Sequence, residues 1–168
     1  LTVAPKNITA NHIADYFISL SNESGNLISN LKLQKLLYYA QAWHLAYYKT
    51  RLFEGSFQAW VHGPVLPEIY DKYKHFSWKP IERNDLDKSY IDHFASTIVM
   101  PEQYELLQEV VNEYFGLTSF ELEKMTHQES PCEIARQGLS NDEPSNKVIE
   151  DQWLIDYYSK YVNVEEEI

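Results

Sequence analysis

Cysteine is almost missing from this chain: Cys132 stands alone among 168 residues. No intramolecular disulfide can form, and the paired-cysteine zinc layouts are excluded. Glycine is scarce as well, with five in all, never spaced as G-x-G-x-x-G or G-x-x-x-x-G-K. A glycine-rich phosphate loop is therefore ruled out. H-E-x-x-H does not occur. No apolar run approaches the roughly 18–20 residues that a membrane-spanning helix requires. The stretch from Leu1 to Ala10 lacks the basic-then-apolar layout of a signal peptide. A cytoplasmic protein with no membrane partner is expected.

Basic residues are few, and unevenly placed. Residues 1–84 carry nine Lys/Arg against six Asp/Glu, whereas residues 85–168 carry five against 19, within a net charge of −11. The acidic half repels phosphate backbones, so direct nucleic-acid binding is not expected. It either attracts a basic protein or only maintains solubility. Glu102, Glu105, Glu109 and Glu113 fall three or four apart on one helix face. That spacing fits a solvated stripe, and it equally fits a surface for a basic partner.

Hydrophobic residues are plentiful at 44%, and aromatics reach 14% with 13 Tyr and 4 Trp. That is enough for one core in a chain of single-domain length. Ile13, Tyr16, Phe17 and Leu20 mark one face of a first helix, with Thr9 as its N-cap. The strongest helical pattern covers 31–49, through Leu33, Leu36, Leu37, Ala40, His44 and Tyr47, with Asn30 placed to cap it. This is the expected central, buried helix.

Alternation of apolar and polar residues predicts a short strand or hairpin element near 52–61. His62-Gly63-Pro64 should break it, with Pro64 suited to open a short helix reaching about Lys74. A long polar connection follows from Ser77 to Thr97, with a short strand expected near 98–100. Further helices are predicted from Pro101 to Tyr114, from the T-x-x-E capping box of Thr118 and Glu121, and from Pro131 to Ala135. A C-terminal amphipathic helix carries Trp153, Leu154, Tyr157, Tyr158 and Tyr161, followed by a frayed tail at 163–168. The whole reads as mainly α: a single domain over 1–168, without repeat or linker.

Catalytic chemistry is poorly supported, and no enzyme is expected. Cys132 lies near His127 in sequence, but no orienting partner accompanies them, and a lone cysteine after a proline usually packs. His44, on the apolar helix face, reads as a hydrogen-bonded core residue rather than a ligand. His62, His127 and Glu129 form the best version of a metal-dependent hydrolase, kept as an alternative although their spacing gives it no specific support. Neither cofactor nor metal is expected.

Three segments carry a resemblance. They are Lys32-Leu33-Gln34-Lys35-Leu36-Leu37-Tyr38-Tyr39-Ala40-Gln41, then Phe57-Gln58-Ala59-Trp60-Val61-His62-Gly63-Pro64-Val65-Leu66-Pro67-Glu68-Ile69-Tyr70, and Thr126-His127-Gln128-Glu129-Ser130-Pro131-Cys132. In this order they resemble K-L-Q-K-L-L-Y-Y-A-Q, F-x-A-W-x-x-G-P-V-x-P-x-x-Y and T-H-x-E-x-P-W of the Panacea (SocA-like antitoxin) domain, also found in phage-associated GepA-type proteins. The match covers about 8–161, and its second motif is the most specific. Cys132 departs from the pattern, standing where the family usually has Trp.

The resemblance implies an antitoxin that binds and neutralises a cognate toxin, usually encoded by the adjacent gene. A basic toxin would match the acidic half, and homo-oligomerisation through the aromatic C-terminal helix is conceivable. The alternative of a different class is an adaptor that delivers its partner to a protease, for which an exposed tail at 163–168 would serve. Candidate partner-binding residues are Trp60, His62, Gly63, Pro64, Tyr70, His127 and Glu129. Trp60 and Tyr70 read either as core or as rigid anchors framing a groove beside the Gly63 turn. His62 and His127 are the candidates for exposed polar contacts.

Overall fold

The computed structural model describes residues 7–167, with side chains as far as Val162. The expected tail at 163–168 lies outside the described side chains. The fold is mainly helical, with one small antiparallel hairpin. No helix among the described residues is long and apolar enough to cross a membrane.

Helix α1 (Ala10–Ser24) starts where Thr9 caps it. Thr9 Oγ1 accepts from the His12 amide at 3.2 Å, and His12 Nδ1 accepts from the Thr9 amide at 3.1 Å. It ends at Gly25 in the left-handed region, φ 74°. Helix α2 (Asn30–Tyr48) is the axis of the molecule. Its cap is Ser29 rather than Asn30, because the Ser29 side chain takes the Lys32 amide. Asn30 is instead the first helical residue, and it spends its amide on the Tyr70 carbonyl and its oxygen on Gln34.

Helix α2 is buried on nearly every side. Leu33, Leu36, Leu37, Tyr38, Tyr39 and Ala40 are wholly buried, and so are Gln34 and Lys35. Buried polar groups are tolerated when hydrogen-bonded, and here they clamp irregular chain onto the helix. Gln41 accepts from the Leu52 amide at 2.7 Å and donates to the Phe53 carbonyl at 2.6 Å. Gln34 Oε1 accepts from the Leu66 amide at 2.9 Å. Lys32 Nζ donates to the Phe115 carbonyl at 2.6 Å.

The short strand or hairpin element expected near 52–61 is present as β1 (Gln58–Trp60), and ahead of it Gln41 takes the backbone groups of Leu52 and Phe53. One correction concerns the chain that follows. Gly63–Val65 forms β2 rather than the start of a helix, paired as Gln58↔Val65, Ala59↔Pro64 and Trp60↔Gly63. Pro64 is tolerated because β2 is an edge strand needing no donor there. The other edge of β1 is closed by the chain near Val148, with Ala59 donating to the Lys147 carbonyl at 2.9 Å. Helix α3 (Pro67–Tyr73) opens at Pro67, one turn later than expected.

The connection after α3 is also more ordered than its polarity predicts. Helix α4 (Lys88–His93) is capped by Asp87 and runs into a π-helical turn over Phe94–Ile98. The strand expected near 98–100 is absent there: the Val99 amide closes that turn on the Phe94 carbonyl at 3.2 Å. Helices α5 (Pro101–Tyr114), α6 (Ser119–His127) and α7 (Ser130–Ala135) match their expected spans closely. Helix α8 (Asp151–Glu167) packs on α2 through buried Leu154, Tyr158 and Val162.

Candidate functional site

The second motif folds into the hairpin, its turn and the start of α3, and a groove of about 690 Å³ lies beside them. Leu31 of α2, Trp60, Val61 and His62 of the hairpin, Val65, and Tyr70 of α3 form most of its wall. Pro144, Ser145 and Asn146 complete its lining. Trp60 and Tyr70 meet edge to face, with ring centroids 4.9 Å apart at 68°. Their geometry suits mutual attraction between ring edge and ring face. Trp60 Nε1 donates to Gln58 Oε1 at 2.8 Å, which fixes the indole without burying it.

His62 occupies the two-residue turn, and its side chain is 64% exposed. Its Nδ1 lies 2.7 Å from Glu123 Oε1, so α6 orients the imidazole at the rim of the groove. Gly63 and Pro64 are buried behind it. Gly63 has φ +98°, and a Cβ built there would stand 2.9 Å from both Lys35 Cε and Thr126 Oγ1. The turn can come this close to α2 and α6 only without a side chain.

The third motif is placed differently. His127 is half-buried and does not line the groove; burial lowers its pKa, and its Nε2 has no hydrogen-bond partner among the described residues. Glu129 faces inward: its Oε1 accepts from Tyr39 Oη at 2.7 Å and from Tyr158 Oη at 2.8 Å. Burial raises the Glu129 pKa, while the two hydroxyl donors oppose that rise. The carboxylate thus ties the α6–α7 junction to α2 and α8. Of the seven candidates, the structure gathers Trp60, His62 and Tyr70 along one groove, buries Gly63 and Pro64 behind its turn, and leaves His127 and Glu129 off its lining.

Little in this geometry resembles a reaction centre. Among the described residues, no three His, Cys, Asp or Glu side chains converge as a metal site would require. Glu129 in particular is turned toward tyrosines, away from the exposed His62. Cys132 is buried beside Tyr38, and burial pushes its thiol up to about 12, the opposite of an activated nucleophile. The groove offers a mostly apolar wall and one oriented imidazole.

Two parts of the site carry no local sequence signal. The wall at Pro144–Asn146 is held by Arg136, which donates to the carbonyls of Ala59, Ser140 and Glu143 at 3.0, 3.1 and 2.6 Å. Leu31, in the first turn of α2, is the other. Both join the groove through long-range packing.

The Antitoxin SocA-like, Panacea domain family matches residues 33–132, more than half of the chain. Antitoxin SocA of Caulobacter vibrioides (strain NA1000 / CB15N) is 39% identical over 70 residues, which is 42% of this chain and 37% of that protein. The match thus spans little more than a third of that relative's length. No solved structure matches. The matched span takes in α2 from Leu33 onward, the hairpin, and the α6–α7 junction with Glu129 and Cys132, and the chain belongs to the SocA-like Panacea-domain family of antitoxins.

Proposed function

We propose that this protein is an antitoxin that neutralises a toxin by binding it directly, and that the groove beside the hairpin is a main contact. The observation that carries this is the Trp60–Tyr70 pair, an aromatic corner left half-exposed at the mouth of a largely apolar groove. Buried aromatic anchors typically cost about 2 kcal/mol or more of binding energy when truncated. Family membership supports the role, and the groove supplies a means of contact.

Binding rather than catalysis is the proposed activity. The inward-facing Glu129 and the raised Cys132 pKa support this, because they remove the two most reactive candidates from the surface. A toxin made in the same cell would be met in the cytoplasm. The acidic half of the chain supports a basic partner, drawn in by long-range attraction.

Co-expression with the protein encoded by the adjacent gene tests the proposal. Growth arrest by that neighbour alone, relieved by this protein through a complex that survives purification, is the expected result. Toxicity relieved without a complex would count against direct binding. A neighbour that is neither toxic nor bound would contradict the antitoxin reading itself.

A further inference from the structure

Helices α2, α5 and α8 enclose a second groove, of about 470 Å³, far from the hairpin turn. Leu31 and Trp43 mark the two sites on α2, about 18 Å apart along its axis at 1.5 Å per residue. The walls are aromatic: Trp43 and Tyr47 from α2, and Tyr161 from α8. Trp43 lies 6.3 Å from Tyr47 and 6.1 Å from Tyr161, centroid to centroid, with the rings inclined at 44° and 66°. The indole donor is spent on Tyr114 Oη at 2.8 Å, so the ring is held in place.

Glu109 and Glu113, one helical turn apart on α5, line the same groove as these rings. Helix α5 contains no Lys or Arg, and neither carboxylate has an ion pair among the described residues. Two cations on neighbouring turns are directed elsewhere. Lys49 donates to the Ala46 carbonyl and to Ser159 Oγ, and Lys160 sits over the Tyr157 ring. The groove therefore joins π-faces to two uncompensated negative charges. Like charges at this spacing disfavour the free helix slightly, and a bound cation would relieve that repulsion.

We infer that this groove receives an arginine side chain from a protein partner. Guanidinium suits it better than ammonium, because the planar group stacks on aromatic faces while its fork of donors meets two carboxylates. The inference rests on the reading of the chain as a protein-binding antitoxin, and it names the chemistry of a contact separate from the hairpin. A partner lying along α2 would engage both grooves.

The test uses the full chain and a blocked hexapeptide carrying two arginines, with the citrulline version as the neutral, near-isosteric control. Binding is followed through the indole N–H resonances of the four tryptophans. The arginine peptide should shift the Trp43 resonance saturably and the citrulline peptide should not. Glu109→Gln with Glu113→Gln should weaken binding about tenfold or more, and added salt should weaken it in the wild type, as expected for charge pairing near a surface. Trp78→Ala, at an exposed position outside both grooves, should leave it unchanged.

Equal binding of the citrulline peptide, an unaffected glutamine variant, or no shift at Trp43 at millimolar peptide would overturn the inference. So would closure of the groove by a second copy of this chain, seen as a Trp43 shift on raising protein concentration alone. The neighbour-gene experiment is independent of all four outcomes, so the antitoxin role and the arginine groove can fail separately.

Discussion

The ammonium group of Lys35 donates to the carbonyl oxygen of Pro64 at 3.3 Å, and the lysine is wholly excluded from solvent. A core lysine thus sits directly beneath the hairpin that carries Trp60 and His62. Its neighbour in α2, Gln34, takes the Leu66 amide. The surface of the groove is consequently built on polar clamps from inside the protein. Disturbing them should reach partner binding without touching an exposed residue.

The cost of burying that charge predicts a specific pH dependence. Burial lowers the Lys35 pKa to about 8, against about 10.4 for a free lysine. Between these values the unfolded chain binds more protons than the folded one, so stability gains from Lys35 as pH rises through that window. The full effect is on the order of 3 kcal/mol, from about 1.4 kcal/mol per pKa unit. Buried Tyr38 and Tyr158 have raised pKa values and act in the opposite sense above about pH 10. Urea unfolding of wild type and Lys35→Met between pH 7 and 10 cancels the tyrosines. The wild type should gain on the variant as pH rises; a constant gap would show that Lys35 does not titrate in this range.

Gly63 should be the least replaceable glycine. Alanine there meets both a φ of +98° and atoms 2.9 Å from the new Cβ, whereas at Gly25 it meets only φ +74° with open space around it. Backbone strain and overpacking together should make Gly63→Ala cost about 3 kcal/mol or more. Gly25→Ala should cost about 1 kcal/mol. Chemical denaturation gives both values, and equal losses would mean that the hairpin can lift away from Lys35 and Thr126.

Glu129 should matter to folding through its oxygen rather than its charge. Glu129→Ala strips the acceptor from the Tyr39 and Tyr158 hydroxyls, at about 2–4 kcal/mol for buried donors left unpaired. Glu129→Gln keeps a carbonyl acceptor and removes a carboxylate whose pKa burial has already raised. Thermal unfolding at pH 7 should therefore show most of the loss restored in the glutamine variant. A glutamine variant as unstable as the alanine one would mean that the negative charge is required.

Periodicity was a good guide wherever one element buries its own stripe. Ile13, Tyr16 and Phe17 of α1, and Leu107, Val110 and Tyr114 of α5, are core residues in the structure. It was a poor guide where side chains replace backbone partners. The alternation over 56–61 marks β1, but nothing local shows that Gln41 takes the Leu52 and Phe53 backbone groups, a pairing more than ten residues away in sequence. Pro64 reads as a helix start and Gly63 as part of the break before it, but the register with Ala59 and Trp60 makes them a strand. The same limit applies to the site. Trp60, His62 and Tyr70 lie in one short motif and were visible together, whereas Pro144–Asn146 joins them only through Arg136.

The central claim is that the aromatic corner of the hairpin groove holds the toxin. Its most direct test is the affinity of Trp60→Ala and Tyr70→Ala for the neighbour-encoded toxin, measured alongside their unfolding midpoints. The account predicts that each variant stays folded and loses about thirtyfold or more in affinity, as for an anchor worth about 2 kcal/mol, with growth arrest no longer relieved. Wild-type affinity in both folded variants would contradict it, and would place the toxin on another face of the protein.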